Sequence, residues 1–376
     1  MKKIILKNKL VYIFFFYIIF SYFISNNVNL SPETKILNSI NWIVSFLFFT
    51  SFIFYCIKNN KNPIEFLVYS FVFILFLNLI LFSLNVSRSE LSLVLGDAIL
   101  LKNIFAISIN RVSFFFGPES PNHMAIFIAM YSPLVFVLKN KSLRYFVLIG
   151  ILLSLLLIDS RMSIVALFFS ILLYFPFKKL KLNFVTKVVI VLTPLFVAIL
   201  LGVLPLIQSM TSFDLISRDS EDITTANSRT LIWTSVIDNI ATLNFNTIFG
   251  AGEYGNLTYS SSADYLYLFD NYANAVKSVH NTYLQMILDK GYVFLILFYA
   301  LLLSLANTLI KNKDDVNIQI YTVTIIVFLI SGTTEVIIGS YYFTIIFTIL
   351  MLHMYINAKY NNLVIQNENK NTRNKL

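Results

Sequence analysis

A few residues in this chain have the types and spacing to do chemistry. Arg161 sits in LLLIDSRMSIVALFF, Arg229 in ANSRTLIWTSVIDNI, and His280 near the start of VHNTYLQMILDKGYVFL. An arginine offers a planar fork of donors that grips phosphate or carboxylate through two bonds at once. An imidazole accepts a proton or a hydrogen bond near neutral pH. Side chains of these types can bind an anion and exchange a proton. Between Arg229 and His280, IFGAGEYGN holds a G-x-G-x-x-G at Gly250, Gly252 and Gly255. That spacing cradles a dinucleotide only where it follows a strand and opens a helix.

The elements that must position these residues are membrane helices. Hydrophobic residues make up 57% of the chain and charged residues 12%, against about 25% charge in a soluble domain. The N-terminal MKKIILKNKLVYIFFFYIIF has the charge and hydrophobicity of a signal peptide. It lacks a small-residue cleavage site and is read as a retained first span. Apolar runs near 10–25, 38–57, 64–84, 121–138, 145–158, 162–177, 188–207, 291–310, 318–338 and 341–356 predict an all-α integral membrane protein with about ten transmembrane helices. Segment 91–109 is ambiguous between an interfacial helix and a further dip into the membrane. The single Cys56 lies in an apolar run, so no disulfide framework is expected.

Lysine and arginine set the orientation. Nineteen of the 28 fall in the N-terminus, the segments 58–61, 139–144, 178–187 and 311–313, and the tail, which places both termini in the cytoplasm. Residues 208–280 then form one large external loop, expected to carry short helices. Loops of that length are usually functional. No βαβ pattern precedes its glycines, and the dinucleotide reading fails. The net charge of +9 is spread over short clusters between apolar runs and offers no nucleic acid a continuous basic face.

On this topology the outer face holds Arg88, Arg111, Arg161, Arg218 and Arg229 against Lys35, Lys102, Lys277 and Lys290, whereas the inner face is nearly all lysine. A phosphate-bearing substrate handled outside would explain the contrast; chance over five residues is the alternative. Arg161 is flanked by apolar runs too short for full crossings, so its turn should lie below the outer surface, where ionisable groups usually line a substrate path. An internal pair with Asp159 is the structural alternative. Asn227 or Ser228 could cap a helix that places Arg229 in its first turn. His280 and His123 lie outside, and His353 lies near the inner end of the last span. The first outer loop has one acid, Glu33, and RDSED at 218–222 has polar flanks, so neither a metal nor a cofactor is expected.

The motifs NRVSFFFGPESPNHMAI, DSRMSIVAL, NSRTLIWTSVI, IFGAGEYG and VHNTYLQMILDKGY, in that order, resemble the O-antigen polymerase and ligase superfamily (Wzy-type) over roughly residues 110–310. One departure is Met162, where the family has glycine after the serine-arginine pair. The resemblance divides the chain into N-terminal spans over 1–109, a polymerase/ligase-like core over 110–310, C-terminal spans over 311–357 and a polar tail over 358–376. It implies a multispan enzyme of the bacterial cytoplasmic membrane with its active site on the outer side. Its donor would be a glycan on undecaprenyl diphosphate. His280, Arg161 and Arg229 would be catalytic. Arg111, Asn122, Arg218, Gly250, Gly252, Glu253, Asn281 and Glu335 would bind substrate, with Glu253 and Glu335 as partners of a sugar or an arginine. A chain-length regulator and a flippase would be further partners, alongside the membrane lipids. A polymerase, a ligase that transfers the glycan to lipid A–core, and a polysaccharide transporter remain open; FFFGPESPNH looks most like the polymerases.

Overall fold

The computed structural model describes residues 8–24, 31–59, 61–86, 98–118, 120–168, 172, 192, 229–253, 255–258, 279–312, 315–337, 348–357 and 359. These residues form helices and connecting loops, with no strand among them. The helices are α1 (Lys9–Ile24), α2 (Pro32–Lys58), α3 (Pro63–Ser83), α4 (Ile99–Phe105), α5 (Pro121–Tyr131), α6 (Lys141–Ile158), α7 (161–168), α8 (Arg229–Ile240), α9 (Phe245–Phe249), α10 (Gly255–Thr258), α11 (Thr282–Lys311), α12 (Val316–Ser331) and α13 (348–357). The chain is an all-α membrane protein. Among the described residues α2, α3, α6 and α11 are long and apolar enough to cross a bilayer, and α1, α5 with the turn after it, and α12 are shorter apolar helices.

Local sequence sets the helix starts. Proline at the first helical position opens α2, α3 and α5, where its missing N–H costs nothing. Side chains of Ser31, Asn62, Asn140, Asn281 and Asp315 accept backbone N–H groups at the starts of α2, α3, α6, α11 and α12. Pro133 ends α5 as an α-helix, and residues Pro133–Val137 continue as a 3₁₀ turn. Helix α2 begins at Pro32 rather than near 38, because a polar cap stands ahead of its apolar run. Helix α11 is broken at Gly291, so the apolar run from near 291 forms its second part and the capped first part, from Thr282, precedes it.

Aromatic side chains join the helices. Phe14 of α1 stacks on Phe294 of α11 at 4.7 Å, and Phe15 on Phe46 of α2 at 3.9 Å. Phe71 of α3 stacks on Tyr131 of α5 at 5.1 Å, and Phe76 on Phe146 of α6 at 4.7 Å. Large apolar side chains such as Phe16, Phe48, Phe73, Leu152 and Ile296 face outward. An apolar surface of this kind suits hydrocarbon rather than water.

One polar network fixes which helix ends lie together. Asn357 of α13 donates to Asn8, just before α1, at 3.2 Å, and accepts from Thr308 near the end of α11 at 2.9 Å. His353 meets Ser304 at 3.1 Å. The start of α1 and the ends of α11 and α13 therefore share one end of the bundle. The start of α11 and the end of α12 lie at the other end, together with the motif residues.

Candidate active site

The site is built where α11 begins and α12 ends. Asn281 caps α11 through Oδ1, which accepts Tyr283 N at 2.9 Å and Leu284 N at 3.1 Å, while its Nδ2 donates to Thr333 O at 3.0 Å. Thr282 Oγ1 donates to Glu335 O at 2.7 Å and accepts Ile337 N at 2.8 Å. These bonds tie the 332–337 turn to the head of α11. His280, immediately before the cap, has a positive φ of 49°. That left-handed conformation costs an L-residue roughly 1–2 kcal/mol and persists only where neighbours fix it. Here the Gln285 side chain holds Val279 N at 3.0 Å, and Asn281 is committed to its cap.

The turn brings Glu335 to His280. Glu335 Oε2 lies 3.2 Å from His280 Nδ1, with the carboxylate buried and the imidazole one-third exposed. The other carboxylate oxygen, Oε1, accepts Asn122 Nδ2 at 2.9 Å. Asn122 Oδ1 accepts Arg111 Nη2 at 2.9 Å, and Arg111 Nε donates to Ile158 O at 2.9 Å. His123 turns away from this row and meets Val336 O at 2.9 Å. An ionised carboxylate only accepts, so Nδ1 of His280 is the donor.

The arginine turn adjoins the far end of this row. Asp159 closes α6 in the left-handed conformation, and its Oδ1 accepts Leu100 N at 3.3 Å. Ser160 and Ser163 exchange a hydrogen bond at 3.0 Å. Arg161 is the first residue of α7 and is half-buried. Arg229 is the first residue of α8, whose Ile232, Val236 and Ile240 pack with Val279, Ile287 and Leu288. Trp233 Nε1 donates to Val279 O at 2.9 Å, so α8 is fastened to the residue before His280. The Arg229 side chain, Arg218, Arg88, Asn227 and Ser228 lie outside the described residues.

Gly250 and Gly252 are placed against a helix backbone. Helix α11 is broken at Gly291, with φ 78° and ψ 174°, so carbonyls ahead of the break turn to other donors. Leu288 O accepts Ala251 N at 2.8 Å, Asp289 O accepts Gly252 N at 3.0 Å, and Lys290 O accepts the Tyr17 hydroxyl at 2.9 Å. A Cβ on Gly250 would lie 2.3 Å from Asp289 O, and one on Gly291 would lie 2.1 Å from Ile248 O. Only glycine permits this approach.

A second polar cluster surrounds the break; of its members sequence reasoning names Glu253 as a substrate-binding candidate and Lys290 only as an outer-face cation, and it does not join them to Asp289. Asp289 Oδ1 accepts Gly255 N at 2.8 Å and Gln285 Nε2 at 2.7 Å. Lys290 Nζ, buried and without a hydrogen bond among the described residues, lies 3.8 Å from the centre of the Tyr22 ring. An ammonium is stabilised over an aromatic face. Glu253 is buried and accepts Asn38 Nδ2 at 3.0 Å. The signal for this cluster was the adjacent acid and base of LDKGY inside an apolar helix. Among the described residues no group of three His, Cys, Asp or Glu side chains could hold a metal ion.

Residues 146–299 match the family model Wzy_C, whose description is O-antigen ligase. This stretch of the chain is similar to that family, and the match is consistent with the O-antigen polymerase and ligase superfamily that the motifs resemble. It takes in Arg161, Arg229, the glycine segment and His280; Arg111, Asn122 and Glu335 lie outside it. No curated protein and no solved structure matches the chain.

Proposed function

We propose that this protein polymerises undecaprenyl-diphosphate-linked repeat units into O-antigen or capsular polysaccharide at the outer face of the cytoplasmic membrane. The observation that carries the reading is the His280–Glu335 pair, an imidazole one-third exposed with a buried carboxylate on its Nδ1, at the end of the bundle that bears the Arg161 turn. The acceptor sugar's hydroxyl oxygen attacks the anomeric carbon of the donor. The bond from that carbon to the diphosphate oxygen breaks, and the diphosphate leaves with the electron pair. His280 Nε2 takes the hydroxyl proton. Arg161 and Arg229 neutralise the charge that grows on the diphosphate, where preorganised donors act most strongly. A second reading, a ligase that transfers the glycan to lipid A–core, is equally compatible with the matched family, whose description is O-antigen ligase.

Deleting the gene and resolving surface polysaccharide on a gel tests both. A ladder collapsed to one repeat unit is the expected result. Complete loss of polymer from core would make the protein a ligase, and an unchanged ladder would overturn both readings. A reporter fused within 208–280 should lie outside the cytoplasmic membrane; finding it in the cytoplasm would put the donor's diphosphate on the wrong side. Transfer in reconstituted membranes should continue in EDTA.

A further inference from the structure

The orientation of Asn122 is dictated by its neighbours. Its Oδ1 receives Arg111 Nη2 and its Nδ2 reaches Glu335 Oε1, both at 2.9 Å. A guanidinium only donates and an ionised carboxylate only accepts, so the amide fits one way round. Arg111 is buried and anchored through Nε on Ile158 O, one residue before Asp159-Ser160-Arg161. At the other end Glu335 Oε2 holds His280 Nδ1 at 3.2 Å. We propose that Asn122 is a positioning residue that, with Arg111, holds Glu335 and through it His280 in fixed register with the Arg161 turn. It acts without touching substrate. This rests on the reading of His280 as the base.

The row crosses the bundle, and each member comes from a different piece of chain. Asn122 belongs to α5, Arg111 to the segment before it, Ile158 to the end of α6, Glu335 to the turn after α12 and His280 to the loop before α11. A misplacement of about 1 Å can cost roughly 100-fold in rate. Three other ionisable groups lie in or near the row. Glu335 faces His280 directly, Arg111 acts on Glu335 through the amide, and His123 feels the charges of both Glu335 and His280. On α11 itself the adjoining side chains, Asn281 and Thr282, are uncharged. Asparagine is the one side chain of this length that can accept from Arg111 and donate to Glu335 at once.

The test uses the full chain in membranes with lipid-linked repeat units, measuring kcat, donor KM and the pH profile of transfer. Asn122→Asp sets a second carboxyl group against Glu335, where the two share a proton and the amide's fixed direction is lost. The pH profile of transfer should differ from that of the wild type. Asn122→Ala should lower kcat about 10- to 100-fold and leave donor KM within about twofold. A raised donor KM at unchanged kcat would make Asn122 a substrate contact and overturn the assignment. So would a pH profile and kcat like those of the wild type, or failure of both variants to accumulate in the membrane, which would mark a folding role. A wild-type protein without transfer would overturn the functional reading and this inference together. An active wild type with unaffected variants would overturn this inference alone.

Discussion

Two interruptions of helical structure lie at the same end of the bundle and are repaired in different ways. At Gly291 the broken ladder of α11 is filled mainly by backbone: Ala251 N and Gly252 N take up the carbonyls of Leu288 and Asp289, and one side chain, the Tyr17 hydroxyl, takes that of Lys290. Even the Lys290 ammonium is covered, lying over Tyr22. At 332–337, after α12, one backbone bond from Thr282 N to Gly332 O is joined by the side chains of Asn281 and Thr282, and the His280 imidazole is left one-third exposed with Glu335 behind it. Buried polar groups need partners whichever way they are supplied. A break sealed by backbone spends its donors and acceptors on architecture. A break closed by side chains can keep one polar atom for a ligand.

The sharpest way to break this contrast is at Gly291. Gly291→Ala would force a Cβ to within 2.1 Å of Ile248 O at a φ of 78°. Backbone must move to relieve it, and an expected loss of about 3–5 kcal/mol should keep the protein from accumulating in the membrane. Normal levels, read by immunoblot and by thermal stability in detergent, would show that the packing of 248–252 on α11 is dispensable.

His280→Ala probes the other break and should separate activity from folding. Protein level and melting temperature should be close to wild type, while transfer falls about 10²- to 10⁴-fold, as expected for loss of a general base. Polymer of normal length from this variant would remove His280 from the mechanism. Glu335→Gln keeps an acceptor near Nδ1 but loses the charge. At about 1.5–3 kcal/mol for a charge-assisted hydrogen bond, its rate should fall roughly 10- to 100-fold. A rate equal to wild type would mean that the imidazole orients itself.

The smallest effects compare two cations. Arg161→Lys should be nearly as damaging as Arg161→Ala, because an ammonium cannot grip a diphosphate through two parallel bonds. Lys139→Ala, on an exposed residue at the opposite end of α6 from Arg161, should change polymer yield little. Full polymer from Arg161→Lys at normal protein levels would reduce that residue to a counter-charge.

Much of the frame was legible in the chain. Apolar runs of bilayer length and few charges impose membrane helices, because hydrocarbon tolerates no unpaired backbone polar group outside helix or closed barrel. Asn281 before Thr282 and prolines at helix starts mark ends by local chemistry alone, and the order of short motifs pointed to the matched family. The loop bearing Arg218, and the turn ahead of Arg229, were legible as motifs but fall outside the described residues. The sealed cluster was foreshadowed only by Asp289 and Lys290 standing together in an apolar run, a costly arrangement that asks for partners.

What sequence by itself determined, then, is the class of protein, the helices and the residue types able to bind an anion or accept a proton. Only the tertiary structure decided which of these meet. Glu335 is 55 residues from His280 and 213 from Asn122, yet contacts both. It also placed Gly250, a substrate-binding candidate by its motif, against the backbone of α11. The physical reason is that periodicity and capping report on one element at a time. Which helix ends share a face of the bundle follows from packing among α1, α3, α5, α6, α11 and α12, and apolar surfaces carry no label for their partners.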